Sequence, residues 1–179
     1  MPKRQRLTSL VLMGVAGSGK SSVLAALEER LLWPALEGDA LHPEANVSKM
    51  AAGVPLTDED RRPWLDAIAA WIGEREAARQ SSIVTCSALR RDYRDILRRG
   101  HPWVWFVHLV APGDVLEQRL EDRLGHFMPV SLLESQLETL EPLEPDEPGT
   151  TLATLASPWT LADKIIAQLR LEPQARAAT

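Results

Sequence analysis

The sequence has one cysteine, Cys86, among 179 residues. That excludes an internal disulfide framework and any zinc site built from cysteines. It favours a reducing compartment, so the cytoplasm is the expected location. No apolar run approaches the roughly 18 residues that a membrane-spanning helix needs. Positive charge is not in excess either: 20 Lys and Arg stand against 25 Asp and Glu, a net charge of −5. Such a chain has no global attraction for nucleic acid or an anionic membrane, which leaves a small molecule as the expected partner. Internal repeats, low-complexity tracts and domain linkers are also missing, and the length fits one domain of roughly 100–200 residues. The basic start, Met1 to Arg6, resembles a secretion signal. The apolar run behind it, however, leads into glycines and a lysine rather than a cleavage site, so it reads as a strand.

What is present is an alternation of strands and helices. Short apolar runs over 7–13, 33–37, 82–87 and 103–110, and a weaker one over 151–155, read as strands. The spacing predicts helices over 21–32, 47–50, 90–99 (stopped by Gly100) and 114–124. Further helices are expected from the capping residues Thr57 with Asp60, Ser131 with Glu134, and Thr160 with Asp163. Pro63 is expected to kink its helix or to mark its true first turn. Residues 141–149, rich in proline and acids, read as an exposed loop, and the tail over 173–179 as frayed. Strands covered on both faces and alternating with helices imply an α/β fold, a parallel sheet with helices on both sides. Trp33, Trp64, Trp71, Trp103 and Trp105 fall in periodic segments and are expected in the core, and Cys86 is expected to be buried and inert.

One motif dominates the chemistry. Gly14-Val15-Ala16-Gly17-Ser18-Gly19-Lys20-Ser21 has the form G-x-x-x-x-G-K-S, with a strand before it and a helix after it. Its glycines let backbone N–H groups approach phosphate oxygens, and the helix that follows points its N-terminus at the anion. Lys20 supplies a positive charge to the β- and γ-phosphates, and the Ser21 hydroxyl can ligate Mg²⁺. The motif implies a nucleoside triphosphate but names no acceptor. The acceptor site belongs at the carboxyl edge of the sheet.

Asp39, at the end of the second strand, is placed to take or orient the proton of an attacking hydroxyl, although a turn aspartate beside glycine is also common. Arg90 and Arg91 open a helix at the active edge, where arginine can clamp an anion. Arg94, Arg98 and Arg99 read instead as a solvated helix face. Arg119 and Arg123 share a helical face, and with Gly125-His126-Phe127 behind them they suit a flap that closes over phosphates.

Together these residues resemble the bacterial-type gluconokinases, small P-loop kinases related to shikimate kinase and adenylate kinase. The resemblance runs over about residues 8–170. It is carried by Gly14 to Ser21, Glu37-Gly38-Asp39-Ala40-Leu41-His42-Pro43, Asn46 to Met50, Gly53 to Leu65, Cys86 to Arg94, Arg119-Leu120 with Arg123, Gly125-His126-Phe127, and Ser135 to Glu141. It implies a three-layer P-loop fold with a five-stranded parallel sheet and a small mobile lid over about 119–130. It also implies ATP-dependent phosphorylation of D-gluconate, with Mg²⁺. ATP would be held by Gly14 to Ser21, Ser22, Arg119 and Arg123. Lys20, Asp39 and Arg123 would be catalytic, with Asp39 as the base or orienter. His42, Lys49, Arg61, Arg90, His126 and Gln136 would line the sugar-acid pocket. Family members are commonly dimers. Many have Asp at the position of Glu37, and no aspartate ends the third strand here. Shikimate or another small hydroxy acid is the rival acceptor, and a non-catalytic ATP-binding module is the rival class.

Overall fold

The computed structural model describes residues 6–122 and 131–172. In chain order the elements are β1 (Ser9–Met13), α1 (Lys20–Leu31), β2 (Ala35–Glu37), a 3-10 turn (Gly38–Leu41), α2 (Glu44–Ala51), α3 (Asp58–Ala77) and β3 (Ser82–Thr85). Then come α4 (Arg91–Arg98), β4 (Val104–Val110), α5 (Gly113–Glu121), α6 (Ser131–Thr139), β5 (Gly149–Ala153) and α7 (Pro158–Leu169). The expected fold class holds: five strands form one parallel sheet in the order β2-β3-β1-β4-β5.

The unbroken apolar run of β1 has a simple cause. Side chains alternate across a strand, and both faces of this one are covered. Leu10 and Leu12 pack with Val23, Leu24 and Leu27 of α1 and with Leu161 and Ile165 of α7. Val11 and Met13 pack on the opposite face with Trp64, Leu65 and Ile68 of α3 and with Tyr93 and Leu97 of α4. β1 lies at the centre of the sheet, so the loop that leaves it has a flank on either side.

Several boundaries differ from the sequence expectations. α3 begins at Asp58 under the Thr57–Asp60 capping box and runs unbroken past Pro63. The carbonyl that Pro63 leaves without a donor belongs to exposed Glu59, where water can reach it. α7 opens at Ser157, whose hydroxyl accepts from the Thr160 N–H, with Pro158 at the first helical position. Thr160 and Asp163 therefore do not form the cap, and Asp163 pairs with Arg30 at 2.5 Å. The side chain of Ser131, which was to cap α6, lies outside the described residues, as do the tail over 173–179 and the expected lid beyond Asp122. Trp33 and Trp64 are buried, whereas Trp103 is exposed. Cys86 is buried, and desolvation pushes its thiol up to about 12.

The largest correction concerns Arg94 and the loop over 141–149. Arg94 is not on a solvated face but fully buried. Its guanidinium donates to both oxygens of Glu147, at 2.6 and 2.8 Å, and to the carbonyls of Ala88, Leu89, Glu141 and Pro142. Glu147, expected to be exposed, is buried with it. A charge can be buried when it is paired and its remaining donors are satisfied. Beside it, Arg91 binds Asp95, Glu144 and Asp146. The acidic loop is clasped to α4.

Candidate active site

The glycine loop turns off the end of β1. Gly14 has φ +141°, and a Cβ there would lie 2.6 Å from the Leu109 carbonyl oxygen. Gly19, at φ +97°, forms the N-cap of α1 and has no side chain to occupy its first turn. The first N–H groups of a helix have no partner within it, so this end of α1 presents donors and the positive end of its dipole to the loop. The Lys20 ammonium donates to the carbonyls of Gly14 and Val15, at 2.9 and 3.0 Å, and so lies folded along the loop. Gln136 of α6 accepts from the Ala16 N–H at 2.7 Å. That bond ties the loop to the helix that follows the expected lid.

A cleft opens on the β2–β3 flank of the loop. Its walls include Lys20, Ser21, Glu37, Asp39, His42, Arg61, Ser87 and Gln136, with an apolar side of Met50, Leu56 and Leu132. The exit of β2 is held rigidly. The Gly38 N–H donates to the Thr85 hydroxyl, Thr85 donates to Glu37 at 2.6 Å, and the Trp64 indole donates to the Gly38 carbonyl. A Cβ on Gly38 would meet the Thr85 carbonyl oxygen at 2.0 Å, so no side chain fits there. Asp39, the next residue, is thereby aimed into the cleft beside Lys20 and Ser21.

His42 stacks on Trp64 with ring centroids 4.1 Å apart, and its Nε2 lies 3.8 Å from Asp39 Oδ1. Desolvation, reinforced by Arg61 and opposed by Asp39, lowers its pKa to about 4, so it is neutral near pH 7. Arg61 lies over the Tyr93 ring, 5.6 Å from its centroid. Its Nε is buried without a hydrogen-bond partner among the described residues.

Two expected acceptor-site residues are placed differently. Lys49 grips both oxygens of Asp60 at 2.7 and 2.8 Å, and Arg90 pairs with Asp58 at 2.8 Å. Neither is among the residues lining the cleft. The Lys49 bond, then the Thr57 N–H, pull the Asp60 carboxyl down to about 2. Arg123 and His126 lie outside the described residues.

A second opening lies on the other flank of the loop, walled by Gly17, Gly19, Ser22, Val23, Arg119, Asp122, Thr154, Ala156, Pro158 and Leu161. Arg119 donates there to the Gly17 carbonyl, the Thr154 hydroxyl and the Thr154 carbonyl. The expected ATP residues are thus split. Ala16 and Ser21 face the first cleft and Ser22 and Arg119 the second, while Gly17 and Gly19 line both. Thr154, Ser87, Thr85 and the Met50–Leu56–Leu132 wall were missed as site residues. The only local hint was the position of Thr85 and Ser87 at a strand's carboxyl end.

Among the described residues there is no cluster of three or more His, Cys, Asp or Glu that could hold a metal ion, and no helix is long and apolar enough to cross a membrane. No family model matches the chain. A gluconokinase of Gluconobacter oxydans is 52% identical over 131 residues, 73% of this chain and 74% of that protein. The crystal structure of a gluconokinase from Sinorhizobium meliloti 1021 superposes with a TM-score of 0.80 at 46% identity, covering 93% of this chain and 94% of the other. An unliganded sugar kinase from Janibacter sp. HTCC2649 superposes with a TM-score of 0.89 at 46% identity, covering 94% of this chain and 97% of the other.

Proposed function

This chain belongs to the gluconokinase family, and on that footing we propose that it transfers the γ-phosphoryl group of ATP to D-gluconate, giving 6-phospho-D-gluconate. The observation that carries this reading is that Asp39 shares one cleft with Lys20, on the flank of the glycine loop where Arg61 still has a donor to give. Phosphoryl transfer is mostly positioning and charge neutralisation, and this cleft offers both.

On this reading the phosphates lie along Ala16 to Ser21, with the nucleoside toward Arg119 and Thr154. Lys20 exchanges its two carbonyl partners for phosphate oxygens. Asp39 accepts the proton of the attacking hydroxyl. Arg61 takes the carboxylate of the sugar acid, which suits a fork of N–H donors, and His42 and Gln136 hold polyol oxygens. Lys49 and Arg90 contribute directly only by leaving Asp60 and Asp58; otherwise they brace the rim. Arg123 and His126 are assigned here from the family resemblance alone, as is a homodimer. The oxygen donors of Ser21 and Glu37, both on the cleft wall, suit a hard cation such as Mg²⁺. When bound, Mg²⁺ neutralises phosphate charge. A reducing, cytoplasmic setting agrees with the single buried thiol.

The test is an ADP-release assay with ATP and a panel of acceptors. Turnover is expected with gluconate and not with shikimate. Asp39→Asn should lower kcat on the order of 10²–10⁴-fold while ATP still binds. Turnover with shikimate alone, or normal turnover in Asp39→Asn, would remove this reading of the cleft.

A further inference from the structure

Asn46 does not line the cleft, yet it is only 3% exposed and sits one turn beyond His42. Its side-chain amide nitrogen donates to the main-chain carbonyl of Asp60 at 2.8 Å. A carbonyl oxygen can only accept, so this bond fixes which end of the amide is the nitrogen. The carbonyl is itself held in place, because the Asp60 side chain closes the capping box with Thr57 and is gripped by Lys49.

The same amide nitrogen lies 3.3 Å from Nδ1 of His42. An amide N–H has nothing to accept with, so Nδ1 must be the unprotonated, accepting nitrogen. Burial keeps the imidazole neutral near pH 7. Its one proton then belongs on Nε2, the atom that faces Asp39 Oδ1 at 3.8 Å. The stack on Trp64 fixes the plane of the ring.

We propose that Asn46 is a positioning residue, which sets His42 as a neutral Nε2–H donor directed at Asp39 and the oxygen of the acceptor. The opposite tautomer would aim a lone pair at the Asp39 carboxylate and repel it. With the proton on Nε2, His42 donates to one oxygen of the base or of the polyol. The other Asp39 oxygen is left to accept the proton of the reacting hydroxyl. The role in turnover rests on the gluconokinase reading of the cleft; the place of the proton does not.

Two measurements test this. Long-range proton–nitrogen NMR of the ¹⁵N-labelled protein, with His42 assigned by its loss in His42→Gln, reads which ring nitrogen carries hydrogen. The wild-type ring is expected to be protonated at Nε2 alone, and Asn46→Ala to show a mixture of tautomers. A wild-type ring protonated at Nδ1 overturns the proposal, as does an Asn46→Ala protein that keeps the pure Nε2–H form. The wild-type spectrum decides even if Asn46→Ala fails to fold. In gluconate kinetics, Asn46→Ala should lower kcat/KM for the acceptor about tenfold, the loss of roughly one hydrogen bond, with KM for ATP unchanged. In a His42→Ala background the same change should cost nothing further. An equal loss in both backgrounds overturns the link to His42. If no sugar acid is phosphorylated at all, the reading of the cleft fails while the nitrogen spectrum still locates the proton.

Discussion

Arg94 and Arg61 lie on neighbouring helices and are treated in opposite ways. Arg94 is fully buried, and its guanidinium ends on one carboxylate and on carbonyls of the chain itself. Arg61 lines the cleft with a buried Nε that meets no partner among the described residues, and its guanidinium lies over the face of Tyr93. A guanidinium whose donors all finish on protein belongs to the scaffold. One with a donor unspent beside an open cleft is the one the proposed function gives to the acceptor's carboxylate. Both burial and the fate of the donors separate the two: Arg94 is buried and Arg61 only partly so.

Removing each arginine in turn is the sharpest way to break that contrast. Arg94→Met strips buried Glu147 of both its hydrogen-bonded guanidinium contacts, leaving as its cation among the described residues only Arg91 at 3.9 Å, and should cost about 3–5 kcal/mol of folding stability, read from the denaturant midpoint, with the acceptor KM of the folded enzyme nearly unchanged. Arg94→Met with Glu147→Leu should recover much of the loss. Arg61→Met should do the reverse. The loss of charge-assisted bonds to a carboxylate is worth about 10- to 100-fold in acceptor KM, with little change in the midpoint. If Arg94→Met raises the acceptor KM at constant stability, the division between scaffold and receptor fails.

The last prediction is a pH dependence, with one histidine in each region. Desolvation, then Arg94, lowers His108 to about 4, and desolvation, helped by Arg61, lowers His42 to about 4. The unfolded chain takes up these protons near pH 6.5, whereas the folded chain resists until about pH 4. Protons therefore favour the unfolded state in that window, and stability should fall as the pH drops from about 6.5 toward 4. These two groups add no slope above it. His108→Gln should make the decline shallower without altering turnover, and a slope that does not change would show that His108 is already charged in the folded protein.

Much of this was legible in the sequence, and what was not has identifiable causes. The glycine loop, Asp39 and the Thr57–Asp60 cap are local patterns, in which the residues that interact are near one another in the chain. Arg94 was misread because its partner is Glu147, 53 residues away. Composition marks the loop over 141–149 as acidic but cannot say which acid turns inward. Lys49 is expected at the pocket from the family resemblance alone; its grip on Asp60 crosses from α2 to α3, a contact that no periodicity encodes. The apolar wall of Met50, Leu56 and Leu132 joins three segments that come together only after folding.

The strand order has one more consequence. Because β1 is central, its loop is served by two mouths whose walls, among the described residues, share Gly17 and Gly19. On the proposed assignment of acceptor and nucleotide, the two ligands approach the loop from opposite flanks of the sheet.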